Sequence, residues 1–427
     1  MPEPTASPLE ELTWRGLLHQ YTEGLDEALA SGATSIYVGF DPTAPSLHVG
    51  NLVPIMALVH LQQAGHRPVV LVGGGTGLIG DPSGKRTERQ LLSPREVNAN
   101  AMRIERQLQR FLRFSGPQGA QMRNNAVWLR RLGAIPFLRD VGKHFTVNYM
   151  LAKESVQSRL EGGISFTEFG YMLLQAVDFL ELFRRDGVTV QGGGSDQWGN
   201  ITAGIELIRR ADGAAAHGFT VPLITTAAGT KFGKTEAGTV WLDPALTSPY
   251  RFFQFWINTD DRDVVRYLRM FTLFSREEIE ALELEALTNP AGRRAQRALA
   301  MHLTERVHGP RSADLASSIS KALFGGGTPQ ALTEDALAML EGEIPFAKVR
   351  IRSGDALDAV ELCVATGLTP SKGAARRLIE QRGLSVNGRR VAPEELEVYR
   401  GSFLRGRYIL LRKGTRDYAL VRATGLR

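Results

Sequence analysis

The chain has 427 residues, is 43% hydrophobic and 22% charged, holds one cysteine, Cys363, and carries a formal net charge of +6. These values exclude an intrachain disulfide and a disordered or fibrous composition, and no apolar run approaches the roughly 20 residues that span a bilayer. The charge is uneven: from Ser371 onward fourteen Lys/Arg face five Asp/Glu, a balance of +9, which leaves −3 on the residues before it. A near-neutral body with a basic tail points to a polyanion partner for the tail. The length calls for two or three domains. Met1–Pro8 lacks the basic and apolar parts of a signal peptide, so a reducing, cytoplasmic location is expected.

Residues 1–34 read as an amphipathic helical lead-in, with Leu9, Leu12, Leu17, Leu18, Leu25 and Leu29 on its apolar side. Ser35–Phe40 is short, apolar and β-prone. Leu52–Leu61 has apolar residues at helical spacing, Gly65 stops that helix, and Pro68–Val72 reads as a second buried strand. The intervening stretch, Tyr37-Val-Gly-Phe-Asp-Pro-Thr-Ala-Pro-Ser-Leu-His-Val-Gly-Asn51, is then the turn of a strand–turn–helix–strand unit. Such crossovers are right-handed, and ligands of open α/β sheets bind at this edge, where helix N–H groups favour phosphate. His48 and Asn51 share one face of the first turn. Taken alone, a helix cap explains His48 and close packing explains Gly50.

Gly73–Gly84 places six glycines in twelve residues after the second strand, and Lys85, Arg86 and Arg89 follow at once. It reads as a surface loop or as backbone brought close to a ligand. Pro94–Asp140 reads as helical and basic, interrupted at Gly116-Pro117, and carries no assigned chemistry. Phe166–Phe183 is apolar on every side and should be a buried helix. Tyr171, Gln175 and Asp178 interrupt it along one stripe. A buried carboxylate needs partners. Either groups elsewhere in the chain close that face, or a small polar ligand does.

Val188–Asn200 repeats the strand–glycine–helix pattern and sets Asp196, Gln197 and Asn200 at another sheet edge. Gly229–Glu236 carries Lys231 and Lys234 around Gly233; alone it reads as a solvated turn. Thr247 to about Asp335 reads as helical. Phe324–Pro329 and Ile344-Pro345 punctuate a connector. The tail, from about Asp355, reads as two helices and a hairpin, with the Asn387-Gly388 signal of a tight turn.

Asp41-Pro-Thr-Ala-x-Ser-Leu-His48-x-Gly50 resembles the first signature, His-Ile-Gly-His, of the class I aminoacyl-tRNA synthetases. Its flanks are most similar to the bacterial tyrosyl group. Val49 and Asn51 depart from that signature. Lys231-Phe-Gly-Lys-Thr235 resembles the second signature, Lys-Met-Ser-Lys-Ser. Ser371-Lys-x-x-Ala-Arg-Arg-Leu-Ile379 with Val386-Asn-Gly resembles an RNA-binding module shared with a small-subunit ribosomal protein. The resemblance implies tyrosine held by Tyr37 and Asp178 at the phenol, by Asp81, Tyr171, Gln175 and Gln191 at the ammonium, and by Gln197 at the carboxylate. It implies ATP along Gly39, Asp41, Gly50, Gly192, Gly194 and Asp196. It gives Thr43, His48, Asn51, Lys85, Arg89, Lys231, Lys234 and Thr235 the phosphates, and Lys372, Arg376, Arg377, Arg389 and Arg390 the RNA. No dedicated metal ligands are visible; Mg2+ should accompany the phosphates.

The implied fold is α/β: a Rossmann-like parallel-sheet catalytic domain over 1–230, with an insertion at about 115–190 that includes a dimer interface. A phosphate-gripping loop and helical anticodon-contacting domain (231–335), a linker (336–354) and a small α+β RNA-binding domain (355–427) follow. The implied activity is that of a tyrosine-tRNA ligase acting with ATP on tRNA(Tyr), as a homodimer. A tryptophan-specific relative would not need the phenol pair, and an inactive RNA-binding relative would have lost Lys231 and Lys234.

Overall fold

The computed structural model describes residues 7–83, 91–160, 162–230, 232–235, 238–351 and 356–425. They fall into two compact units, one of residues up to 247 together with 259–295, the other of 248–258 together with 296 onward.

The first unit is built on a six-stranded sheet of β1 (Gln20–Tyr21), β2 (Ser35–Phe40), β3 (Arg67–Val72), β4 (Gln121–Asn124), β5 (Val188–Gly194) and β6 (His217–Val221), in the order β1-β6-β5-β2-β3-β4. β2 to β6 are parallel, and β1 runs antiparallel along β6. From β2 the chain winds one way to β3 and β4, while β5 and β6 lie on its other side. The carboxyl ends of β2 and β5 therefore flank a switch point, where this type of sheet leaves a crevice. The expected β2–helix–β3 unit is present, its helix running Leu52–Gln63 and Gly65 taking φ +97°. The lead-in is not wholly helical: Pro8–Trp14 and Leu25–Ala30 are helices, but Gln20–Tyr21 joins the sheet edge. Nor is Pro94–Asp140 helical throughout. The helix Pro94–Leu108 gives way to β4, a further parallel strand. Its sequence, Gln-Met-Arg-Asn, is polar because all four residues are only half-buried at the edge.

The helix Phe166–Asp186, opened by the Ser165 cap and closed by Gly187 at φ +62°, buries Leu173, Ala176, Phe179 and Leu182 in the core beneath β2, β3 and β5.

In the second unit, the strand Phe346–Arg350 pairs in parallel with Asp417–Thr424, which continues through Tyr408–Lys413 to the Leu384–Val386 and Arg389–Arg390 hairpin. Asn387 and Gly388 take φ of 49° and 87°, the left-handed pair such a hairpin demands. Among the described residues of the linker expected over 336–354 lie most of the helix Glu334–Leu340 and the strand Phe346–Arg350. The C-terminal residues have a core of their own, in which Val360, Leu362, Ile379, Leu384, Ile409 and Val421 pack together, and a second cluster joins Tyr250, Ile319 and Leu337 to Tyr408, Leu410 and Leu420.

Candidate active site

β2 ends at the crevice. Val38 and Phe40 are buried, yet Gly39 between them is exposed, and no described atom stands within 4 Å of where its Cβ would be. The strand thus offers bare backbone to the crevice. Beyond it His48 folds back over the helix start: its Nδ1 accepts from Gly50 N–H at 3.0 Å, while Asn51 Oδ1 accepts from His48 N–H at 2.9 Å. A Cβ at residue 50 would lie 2.8 Å from the His48 ring, so Gly50 is required there. With Nδ1 accepting, the ring proton of a neutral His48 sits on Nε2. Asn51 thus holds the His48 backbone through its side-chain oxygen. Thr43, half-buried, donates its N–H to Asp41 O at 2.9 Å.

The second signature lies against the first. Val49 N–H donates to Val240 O at 3.0 Å, Val240 N–H to Gly233 O at 3.0 Å, and Leu242 N–H to Leu47 O at 2.8 Å. Gly233 has φ +78°, and a Cβ there would fall 2.6 Å from Val49 Cγ2. Lys234 follows, exposed, in a two-residue strand with Thr235. Lys231, Lys85 and Arg89 lie outside the described residues, as does the Thr235 side chain.

Each residue of the stripe on the helix Phe166–Asp186 meets partners from elsewhere in the chain. Asp178, 2% exposed, accepts from Asn125 Nδ2 at 2.8 Å and from Trp128 Nε1 at 2.7 Å. Asn125 also donates to Thr76 Oγ1 at 2.9 Å, Thr76 donates to Asp41 Oδ1 at 2.6 Å, and Tyr171 Oη donates to Asp41 Oδ2 at 2.7 Å. Asp41, expected with the nucleotide, is therefore tied to Tyr171 and Thr76. Burial pushes the Asp178 carboxyl up to about 8, against the pull of its two N–H donors. Burial, then the nearby Asp178 charge, hold the Tyr37 phenol well above its ordinary value. Tyr37 Oη is buried and has no hydrogen-bond partner among the described residues. Its register partner on β5 is Gln191, 1% exposed, whose Oε1 is likewise unpartnered among them. A buried hydroxyl and a buried amide oxygen left unpaired cost about 1–3 kcal/mol each, a cost that a polar ligand reaching both would offset.

A second polar group adjoins. Gln197 Nε2 donates to Asp81 Oδ2 at 2.6 Å, Gln175 Nε2 donates to Gln197 Oε1 at 3.3 Å, and Asn200 Nδ2 donates to Gln175 Oε1 at 3.1 Å. Asp81, Gln175 and Gln197, from three separate stretches, are thus brought together as expected, with Asn200 added. Gly192 and Gly194 have packing reasons of their own: a Cβ would lie 2.6 Å from Phe219 at the first and 2.5 Å from Asp196 Oδ1 at the second.

Reading the sequence missed Asn125, Trp128 and Thr76. The available signal was the unpaired demand of Asp178 itself, since Asn and Trp are the neutral donors a buried carboxylate recruits.

In the second unit, Lys372, Arg376 and Arg377 are exposed on the helix Lys372–Glu380, and Arg389 and Arg390 are exposed on the hairpin. Lys372 pairs with Glu361 at 2.8 Å and Arg389 with Glu395 at 2.9 Å, so part of this cationic face is neutralised locally.

Residues 30–325 match the family described as tRNA synthetases class I (W and Y), and residues 338–421 match the tyrosine–tRNA ligase SYY-like C-terminal domain. The chain is 56% identical to the tyrosine–tRNA ligase of Anaeromyxobacter dehalogenans (strain 2CP-1) over 97% of this chain and 99% of that one. It is 53% identical to the tyrosine–tRNA ligase of Bacillus caldotenax over the same shares. Among solved structures, a C-terminally truncated mitochondrial tyrosyl-tRNA synthetase from Aspergillus nidulans superposes with a TM-score of 0.69 at 33% identity, covering 75% of this chain and 95% of that one. The phenol beside a buried carboxylate, the two signatures packed together and near full-length identity agree: the chain belongs to the class I tRNA synthetases of the W and Y type, in their bacterial tyrosine–tRNA ligase branch.

Proposed function

We propose that the crevice activates L-tyrosine with ATP, giving tyrosyl-adenylate and pyrophosphate, and then passes the tyrosyl group to the 3′ end of tRNA(Tyr). In the first step the tyrosine carboxylate attacks the α-phosphorus and pyrophosphate leaves. Little proton transfer is needed; catalysis rests on orientation and on neutralising charge at the phosphorus and the leaving group.

The observation that carries the reading is Tyr37 Oη, buried without a partner among the described residues and near the doubly bonded Asp178 carboxylate. A phenol hydroxyl entering here donates to Asp178 and accepts from Tyr37. Gln191, Tyr171, Gln175 and Asp81 then face the ammonium, and Gln197 the carboxylate. ATP lies over the bare backbone at Gly39, with Asp196 and the Gly192–Gly194 backbone at the ribose. His48 and Thr43 meet the γ-phosphate, and Lys231, Lys234, Thr235, Lys85 and Arg89 supply the cationic surround. Asn51 serves by holding His48. ATP enters as its magnesium complex, the phosphates being the metal's ligands.

The exposed cations Lys372, Arg376, Arg377, Arg389 and Arg390 fit a nucleic-acid backbone. The insertion exposes Val127, Ile135, Leu138, Val147 and Phe166, with Phe166 81% accessible, and a second copy of the chain covering them accounts for so much bare apolar surface. The proposal is a homodimer in the cytoplasm, with one tRNA touching both subunits. A monomeric mass by light scattering at working concentration counts against the dimer.

The deciding experiment is amino-acid-dependent ATP–pyrophosphate exchange with each of the twenty amino acids and no tRNA. Exchange with tyrosine alone supports activation and its specificity together. Exchange with another amino acid keeps the activation chemistry and removes the phenol pocket.

A further inference from the structure

We propose that the helix Asp261–Phe271 is the platform that sets where Lys234 sits, through an aromatic socket made by Tyr267 and Phe271 around Phe232. The proposal rests on the reading of Lys234 as a phosphate-binding group.

Phe232 lies in the second signature and is 6% exposed, although Lys234, two residues on, is in solvent. Its ring stacks on Phe271 at 5.5 Å between centroids with 11° between planes, and tilts against Tyr267 at 5.1 Å. Tyr267 and Phe271 are themselves 3% and 0% exposed, and they pack on each other at 5.8 Å. A solvated turn has no need of a buried three-ring cluster; a lysine that must meet a phosphate at a fixed point does.

The same helix holds the approach to the loop. Asp263, 4% exposed, accepts from Ala227 N–H at 2.8 Å. The platform is in turn fixed at its carboxyl end by Arg15. Arg15 Nη1 donates to the carbonyls of Arg269 and Thr272 at 3.1 and 3.0 Å, and Nη2 donates to that of Phe274 at 3.0 Å. The last carbonyls of any helix lack intrahelical N–H donors, and a cation there also meets the negative end of the helix dipole. Glu11 holds the Arg15 guanidinium from its other edge at 2.6 Å. Packed side chains and hydrogen bonds therefore lead without a break from Arg15 through the helix to Phe232, and Gly233, packed close against Val49, constrains the next residue.

Phe232, Tyr267 and Phe271 touch no substrate in this scheme. They are positioning residues for the activation step. The tyrosine pocket draws no atom from the platform, so socket variants should divide the two substrates.

The test is pre-steady-state tyrosyl-adenylate formation in the 427-residue chain, with tyrosine affinity measured separately by equilibrium dialysis without ATP. Phe232→Ala and Phe271→Ala should each slow adenylate formation on the order of 10²-fold, the loss expected for misplacing a reacting group by about 1 Å. Tyrosine affinity should stay within about twofold, because this binding does not use the loop. The double variant should be no slower than the slower single one, because both break the same stacked pair. Phe271→Leu keeps an apolar side chain in the helix and guards against loss of fold; it should fall between. An unchanged rate in Phe232→Ala, additive losses in the double variant, or an equal loss of tyrosine affinity overturns the socket. Unmodified chain that forms no adenylate from tyrosine overturns the underlying reading instead.

Discussion

Trp128 donates its indole N–H to Asp178 Oδ1 at 2.7 Å across a gap of 50 residues in sequence. Its ring is 7% exposed and packs in the core cluster that also contains Tyr37. The Asp178 carboxylate is thus held by a neutral donor from a distant stretch of the chain. Trp128→Phe keeps the packing but leaves one buried carboxylate oxygen unpaired, at about 1–3 kcal/mol. The kcat/KM ratio of tyrosine to phenylalanine should fall about tenfold, and thermal stability should fall with it. Equal stability and an equal ratio would mean that the indole merely fills space.

Asp178→Ala removes the proposed hydroxyl acceptor outright. A pocket built to hydrogen-bond a hydroxyl rejects the analogue lacking it by about 10⁴–10⁵-fold, a range for which tyrosine-activating enzymes are themselves the reference case. The variant should lose most of that discrimination or lose tyrosine binding. Asp178→Asn should do little better, because the amide turns a donor toward Asn125 or Trp128, which are donors already. Unchanged selectivity in either variant would remove Asp178 from the phenol site.

If Asp178 takes the phenol as proposed, its raised carboxyl should make tyrosine binding proton-linked. In the free chain the group is pushed up to about 8 by burial, so at pH 7 it is largely protonated. A phenol O–H that donates to it favours the ionised form and draws the pKa down. Binding at pH 7 should therefore release up to about one proton, and tyrosine affinity should rise with pH between about 6 and 8. For folding the sign is opposite. The folded state holds this proton and the unfolded state does not, so this group's contribution to stability declines as pH rises from about 4 to about 8. Calorimetry in two buffers of different ionisation enthalpy counts the protons. No release would mean that the carboxyl keeps its proton and donates to the phenol.

Much of this site is legible in the sequence because its parts are local. The turn from Tyr37 to Asn51 sits between a strand and a helix that periodicity alone marks, and Tyr171, Gln175 and Asp178 share a stripe at helical spacing. The Asn387-Gly388 hairpin follows from the left-handed conformations these residues tolerate. What is not legible is long-range. β4 is four half-buried edge residues, with no apolar run to distinguish it from the helical text around it. Missing β4 hides Asn125 and Trp128, which follow it immediately. The common core of Tyr250 with Tyr408 and Leu420 joins residues more than 150 positions apart, and no local pattern announces it.

The tail makes a claim separable from the crevice. Lys372, Arg376 and Arg377 stand on one exposed helix, where Lys372 pairs with the Glu361 carboxylate. Replacing Arg376 and Arg377 with Glu should weaken tRNA binding and flatten its salt dependence, the log–log slope falling by about one for each phosphate no longer neutralised. ATP–pyrophosphate exchange with tyrosine, which needs no tRNA, should keep its rate. Filter binding across a salt series and exchange on the same preparation test both halves. An unchanged salt slope would place the RNA elsewhere on the chain.

Gly233 and Val49 offer the most direct probe of how the two signatures are joined. Gly233→Ala faces two penalties at once. The residue has φ +78°, which costs a side chain roughly 1–2 kcal/mol, and the new Cβ would lie 2.6 Å from Val49 Cγ2. The loop must shift, so adenylate formation should slow at least about tenfold while tyrosine affinity holds. Val49→Ala removes the clashing methyl but not the backbone strain. Gly233→Ala combined with Val49→Ala should therefore recover part of the rate, and Val49→Ala alone should cost little by comparison. Recovery depends on direct packing, whereas a loop displaced by backbone strain alone gains nothing from a smaller residue 49. If the double variant is as slow as Gly233→Ala, the positive φ governs the loop and the packing of the signatures does not.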